Sequence, residues 1–453
     1  MPRYIIRSRA LRASAAVSLS VARLSAEHRA GQRRAILERR LEDPVDKELR
    51  RWLTGAGSQV ERVTASEERT AVTSTTIADM APEEAARLVR EVPGIVVLRD
   101  ERIDLIRPTE RTVSVIAAEQ PPWHLSAIGL QAARQAGFRG DGHGVTVAVL
   151  DTGIDDSHPE IAGRVTGTFT FDVATWQARQ ETGSRDTHGH GTHVSGILAG
   201  KNVGVAPGAN LLNGIMLPGA YGRLSDFVLA IEWVASRPDV GVLNMSAGIP
   251  GFVDGMAASI SDLLAAGVLP VIATGNEGFN STRSPGNYEA PLTVGAATKD
   301  GVIASFSSSA RMTVNNHIYN VPDVVAPGER IRSCVRGGGY EEWSGTSMAT
   351  PIVSGIAALV LQAYPNISVV DLIDEIRSAC RKLPAPAERQ GVGLVQVPPR
   401  LLSSATPTPV APTPVAPSPI APSPIAPSPM TPQRPPRPNR RRIVLAPRRR
   451  PRP

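Results

Sequence analysis

Five short runs of this chain are almost uniformly apolar, and they restrict the fold more than any other feature: residues 144–150, 210–215, 240–244, 268–274 and 291–297. A strand with one wet face alternates apolar and polar residues. A run without that alternation needs cover on both faces, as parallel strands inside an α/β sheet have. Helical stretches lie between the runs, among them 225–236 and 255–266. A further apolar run, 352–361, reads as a buried helix in which Gly355 serves close packing. The expected fold class is therefore α/β, an open parallel sheet flanked by helices, with reactive residues outside the carboxyl ends of its strands.

Polar residues do collect at those ends. Asp151 follows the first run directly, in Val149-Leu150-Asp151-Thr152-Gly153. His190 and His193 stand in His190-Gly191-Thr192-His193-Val194-Ser195-Gly196, and Asn276 in Ala273-Thr274-Gly275-Asn276-Glu277-Gly278. Ser347 lies in Gly345-Thr346-Ser347-Met348-Ala349-Thr350-Pro351, just before the buried helix. Free N–H groups and the positive end of the helix dipole converge at such a junction, so a negative intermediate is stabilised there. A serine hydroxyl is a poor nucleophile until a base takes its proton. An imidazole does this, a carboxylate orients the ring, and an amide such as that of Asn276 donates to an oxyanion. Each residue alone has a plainer reading: Ser347 as a helix cap, Asp151 and Asn276 as turn residues. His188, His190 and His193 could also suggest a metal, but no His-Glu-x-x-His is present and the intervening glycines position a ligand set poorly.

Together and in this order, the motifs resemble those of the subtilisin-like serine proteases, the subtilases, over residues 123–402. The resemblance implies a serine endopeptidase acting on protein or peptide substrates through an acyl-enzyme. It implies catalytic roles for Asp151 (orienting carboxylate), His190 (general base) and Ser347 (nucleophile), with Asn276 and the Ser347 N–H as the oxyanion hole. His193 corresponds to a structural histidine. Ser246, Ala247, Gly248 and Ile249, with Thr274 and Gly275, are the implied substrate-binding residues; Ile249 stands where a second glycine is common, which alters the expected P1 pocket. Glu277 could favour a basic P1 residue or simply be a solvated turn carboxylate. No cofactor is expected. Calcium, held by a longer connection in many members, has few oxygen ligands in the short stretch 197–207.

Residues 1–106 show a β-α-β-α-β pattern: a strand at 4–6, a helix over 27–52, a strand at 71–77, a helix over 82–91 with Asp79 as its N-cap, and a strand at 95–98. This α+β module resembles a subtilase propeptide, which implies an intramolecular inhibitor. The polar stretch 107–122 is expected to be an exposed linker where maturation cleavage falls. From residue 403 the chain becomes a tail, with a Pro-rich repeat over 407–431 suited to polyproline II.

The net charge is +7, but nine arginines and no acid lie beyond residue 406, which leaves the remainder at −2. The basicity thus belongs to the tail, a candidate for binding an acidic surface. Specific nucleic-acid recognition is not expected, because no aromatics interleave with the arginines. No uninterrupted apolar run is long enough for a transmembrane segment. The arginines before the Ala/Ser-rich stretch 13–22 do not make a convincing signal peptide, so localisation is open. Cys334 and Cys380 are expected as free, buried thiols. The competing functional class is a protease-like scaffold docked through its proline-rich arm, against which the full Asp, His, Asn and Ser set argues.

Overall fold

The computed structural model describes residues 1–8, 44–56, 60–65, 75–113 and 121–403. The tail beyond residue 403, the stretch 13–22, and the parts of the expected 27–52 helix and 71–77 strand that precede residues 44 and 75 lie outside the described residues. The N-terminal α+β region comprises β1 (Arg3–Ser8), a helix Pro44–Ala56, β2 (Val60–Ala65), β3 (Thr75–Met80), a helix Pro82–Glu91 and β4 (Ile95–Arg99), with strand order β2-β3-β1-β4. Side chains along a strand alternate between faces. Ile6, Ala78 and Met80 therefore pack with Leu49, Leu53 and Leu88 of the two helices, while Ile5 and Ile77 join the core beneath the larger sheet. Asp79 does not cap the Pro82–Glu91 helix. It lies in β3 opposite Arg3 and pairs with it at 2.9 Å, and Ala81 is the N-cap, with Pro82 opening the helix.

Next come β5 (Arg102–Leu105), β6 (Glu110–Val113) and short helices Trp123–Ala127 and Leu130–Gln135. The strands that follow are β7 (Thr146–Asp151), β8 (Val165–Asp172), β9 (Gln177–Glu181), β10 (Asn210–Ile215), β11 (Tyr221–Arg223), β12 (Val240–Met245), β13 (Ala247–Pro250) and β14 (Leu269–Ala273). The series ends with β15 (Arg283–Ser284), β16 (Leu292–Ala297), β17 (Ala310–Val314), β18 (His317–Val321), β19 (Val324–Pro327), β20 (Ile331–Cys334) and β21 (Tyr340–Ser344).

Eight strands form the main sheet in the order β19-β16-β14-β12-β7-β10-β8-β9. Every neighbouring pair is parallel except β8–β9. The five apolar runs are β7, β10, β12, β14 and β16, and every residue of β7, β14 and β16 is buried. Helices His190–Ala199 and Thr346–Ala363 cover one face; Leu224–Ser236 and Ala257–Ala265 cover the other. By length and composition Thr346–Ala363 could cross a membrane, but 89% of it is buried inside the fold, as in a core helix.

The strand order reverses at β7, with β10 and β8 to one side and β12 and β14 to the other. The carboxyl ends of β7, β12 and β14 thus frame a crevice, the position where such sheets bind ligands. Two small sheets line it: β11-β5-β13-β15 and β20-β21-β6. Of the stretch expected as an exposed linker, residues 107–113 enter this crevice: β6 keeps its side chains exposed while its backbone pairs with β21. Cys334 and Cys380 are both free; Cys334 is buried as expected, whereas Cys380 is only half-buried near the end of the Val369–Ser378 helix. Burial raises both thiols to about 12, which keeps them protonated and unreactive at neutral pH.

Candidate active site

Asp151 is the last residue of β7, and His190 the first of the His190–Ala199 helix. Two glycines let these ends meet. Gly153 has φ +115°, and a Cβ there would strike the Arg185 carbonyl; a Cβ on Gly191 would strike the Gly153 carbonyl. Asp186 fixes the start of the helix. Its Oδ1 accepts the His188 and Gly189 N–H groups at 2.9 and 2.8 Å, and its Oδ2 accepts the Thr192 N–H at 2.9 Å. The Thr152 hydroxyl also donates to Asp186, at 2.8 Å, which ties the helix to the end of β7. Asp186 is not the N-cap, which is Gly189, so no local helix-start signal marks it in the sequence.

The result is a buried imidazole facing a buried carboxylate. His190 Nδ1 lies 2.8 and 2.9 Å from the two Asp151 oxygens, and Oδ1 also accepts the Thr152 N–H at 2.7 Å. His190 Nε2 is buried and has no hydrogen-bond partner among the described residues. His193 lies deeper: its ring stacks on Trp343 at 4.1 Å and its Nε2 meets the Glu341 carbonyl oxygen at 3.2 Å. Burial depresses its pKa well below the ordinary histidine value, so this ring is neutral and structural.

Ser347 is the second residue of the Thr346–Ala363 helix, whose N-cap is Gly345, so Ser347 does not cap it. Its hydroxyl donates to the Ile106 carbonyl oxygen at 2.7 Å. Asn276 follows β14 and comes beside the same helix end. Its Oδ1 accepts the Thr346 N–H and hydroxyl at 2.8 and 2.9 Å, and its Nδ2 donates to the Arg107 carbonyl oxygen at 2.8 Å. Thr274 and Gly275 shape this turn from beneath: Thr274 Oγ1 donates to the Ser308 carbonyl at 3.0 Å, and the Gly275 carbonyl accepts the Ser308 N–H at 3.0 Å.

The expected substrate-binding strand is occupied by the chain itself. β5 runs antiparallel to β13, with Leu105 opposite Ala247 and Asp104 opposite Gly248, and the Ile106 N–H donates to the Ser246 carbonyl at 3.0 Å. Ile249 turns instead to β15, opposite Ser284. Ile103, Leu105 and Ile106 are buried in the crevice, while Arg107 is exposed. Past the serine, the Thr109 N–H donates to the Ser344 carbonyl at 2.8 Å, and β6 continues antiparallel to β21. Glu277 pairs with Arg283, with its Oε1 2.7 Å from the Arg283 Nε.

The short connection after the His190–Ala199 helix is closed by protein donors. Glu160, 3% exposed, accepts the Asn202 N–H at 2.8 Å, the Asn202 side-chain amide at 2.9 Å and the Tyr340 hydroxyl at 2.8 Å. Burial alone would raise its pKa, but these bonds and that from the Val203 N–H outweigh burial and hold the carboxyl below its ordinary value. With both oxygens committed, the residues here do not fit a calcium ion. Among the described residues no cluster of three His, Cys, Asp or Glu side chains could hold a metal.

Residues 142–393 match the family model described as Subtilase family. Subtilisin BL of Lederbergia lenta is 35% identical over 285 residues, which is 61% of this chain and 97% of that protein. The thermostable alkaline protease of Halalkalibacterium halodurans is 34% identical over 296 residues, 64% of this chain and 76% of that protein. Subtilisin E of Bacillus subtilis is 34% identical over 290 residues, 62% and 71% respectively. The matched span holds the main sheet, Asp151, His190, Asn276 and Ser347, and the chain belongs to the subtilase family of serine endopeptidases.

Proposed function

We propose that Asp151, His190 and Ser347 form the catalytic triad of this serine endopeptidase, with Asn276 and the Ser347 N–H as its oxyanion hole. Asp151 holds the Nδ1 side of His190, so Nε2 is the nitrogen available to take the serine proton. Ser347 then attacks the scissile carbonyl carbon and the carbonyl oxygen becomes an oxyanion. His190 passes the proton to the leaving amine, and a water molecule, activated by the same imidazole, releases the acyl group. The positive end of the Thr346–Ala363 helix and the Asn276 amide stabilise the oxyanion in a site from which substrate excludes water.

The observation that carries this reading is the path of residues 103–109. They cross the crevice as an extended strand, with the Ile106 carbonyl on the Ser347 hydroxyl and the Arg107 carbonyl on the Asn276 amide. A peptide substrate laid along β13 would take the same course. The contacts of Asp104 and Ile106 with Gly248 and Ser246 make Ile106–Arg107 the proposed maturation bond, with Ile106 in the P1 pocket and Leu105 and Ile103 in the preceding apolar sites.

Two groups meant for one carbonyl are here divided between consecutive carbonyls, and the serine proton points to Ile106 rather than to His190. The segment is thus read as a held, non-productive occupant, and the N-terminal region as an intramolecular inhibitor of an autoprocessed zymogen. Labelling with a serine-directed phosphonate and intact-mass analysis test both parts. The expected results are phosphonylation at Ser347, a processed chain beginning at Arg107, and a Ser347→Ala variant that stays full-length, binds no label and does not turn over. Parent-rate turnover by Ser347→Ala would refute the nucleophile assignment.

A further inference from the structure

Beyond the serine, the chain continues on the leaving-group side as β6, paired with β21 in the register Glu110–Ser344, Arg111–Trp343, Thr112–Glu342 and Val113–Glu341. This pairing places Arg111 and Trp343 side by side on one face of the small sheet. The Arg111 guanidinium carbon sits 4.0 Å from the Trp343 ring centroid, and the His193 ring is stacked 4.1 Å from it at an interplanar angle of 1°. Two groups this close to one centroid cannot share a face, so the indole lies between His193 beneath and Arg111 above. Trp343 is accordingly 2% exposed, with the exposed Arg111 side chain over its outer face.

Glu341 lies two residues before Trp343, on the same face of β21. Its carboxylate accepts the indole N–H at 2.6 Å, and its charge offsets part of the burial that lowers the Arg111 pKa. Glu342, on the opposite face, is paired with Arg330 at 3.2 Å. An aromatic face with a neighbouring carboxylate is the environment that attracts an arginine.

We propose that Trp343 and Glu341 form a primed-side specificity site for an arginine, and less well a lysine, five residues beyond the bond cut, and that Arg111 fills it until cleavage at Ile106–Arg107 frees the new N-terminus to withdraw β6 from β21. This rests on the reading that residues 103–109 follow the substrate path. The site acts by binding ahead of the chemistry, so its effect falls on KM rather than kcat.

The test uses the processed enzyme and internally quenched peptides that carry the 103–106 sequence before the cut and Arg, Lys, Ala or Glu at the third to sixth position after it. The expected order of kcat/KM is Arg, Lys, Ala, Glu at the fifth position only, with Arg about five- to tenfold above Ala. Trp343→Ala should bring Arg and Ala to within about twofold. Glu341→Gln, which keeps an acceptor for the indole, should narrow the difference without disturbing the packing, and serves should Trp343→Ala fail to fold. Equal cleavage of the Arg and Ala peptides by the parent overturns the site and leaves the triad reading standing. Failure to cleave any peptide, with no phosphonate label on Ser347, overturns both.

Discussion

Replacing Asn276 in two ways separates its chemistry from its structural duty. The side chain donates through Nδ2 to a carbonyl in the crevice and accepts through Oδ1 from the Thr346 N–H and hydroxyl. Asn276→Asp keeps the acceptor and removes the donor; Asn276→Ala removes both. A donor aimed at a developing oxyanion contributes little until the carbonyl oxygen gains charge, so its loss falls on kcat. The expected decrease is about 10²–10³-fold, or about 2.7–4 kcal/mol of transition-state stabilisation. KM should change little, because the backbone contacts to Ser246 and Gly248 remain. The two bonds to Thr346 contribute about 0.5–1.5 kcal/mol each, so Asn276→Ala should also unfold at lower temperature, whereas Asn276→Asp keeps those two acceptors. The assay is steady-state hydrolysis of a quenched peptide, normalised by active-site titration, alongside thermal unfolding. An Asn276→Ala enzyme with the parent kcat, or with its whole loss in KM, refutes the oxyanion assignment.

Two further substitutions test what holds the machinery in place. In Glu160→Gln an amide nitrogen must face N–H donors that the carboxylate now accepts, which costs about 1.5–3 kcal/mol of stability at neutral pH. Because the folded-state pKa of Glu160 is depressed, its contribution is fully present above the unfolded value of about 4.3 and is lost as pH falls through the folded value. The gap between parent and variant in denaturant unfolding should therefore narrow below that pH; a gap independent of pH would contradict the role given to the charge. Arg7 of β1 meets Asp262 of the Ala257–Ala265 helix at 3.3 Å, with side chains 4% and 1% exposed. Arg7→Ala, made in the Ser347→Ala background so that the chain stays whole, leaves that carboxylate buried against the lost cation and should cost about 3–5 kcal/mol in thermal or denaturant unfolding. A cost below about 0.5 kcal/mol, the size of an exposed pair, would show that the pair is solvated.

Much of the scaffold was legible along the chain. Runs such as 144–150 and 268–274 lack alternation because both faces of their strands are covered, and that pattern is local. β8 has no apolar run to mark it because its mixed Thr/Phe/Gly sequence lies next to the antiparallel edge strand β9, where only Thr168 and Phe169 of its eight residues are buried. The helix cap at Asp79 was misread because a strand pairing with Arg3, 76 residues away, decides where that side chain goes. Four chemical residues could be named from local motifs, since each follows a strand or opens a helix. Asp186 and Glu160 could not, because their importance lies in the N–H groups that converge on them in space.

The sequence alone therefore determined the parallel sheet, the helices that cover it and the four residues gathered at its carboxyl ends, all written in short-range periodicity and in motifs of a few residues. Only the tertiary structure decided that residues 103–113 lie in the crevice, that Ser347 meets a carbonyl 241 residues upstream, and that Trp343 is held between His193 and Arg111. These arrangements come from backbone pairing and packing between distant segments, and such contacts leave no period along the chain to be read.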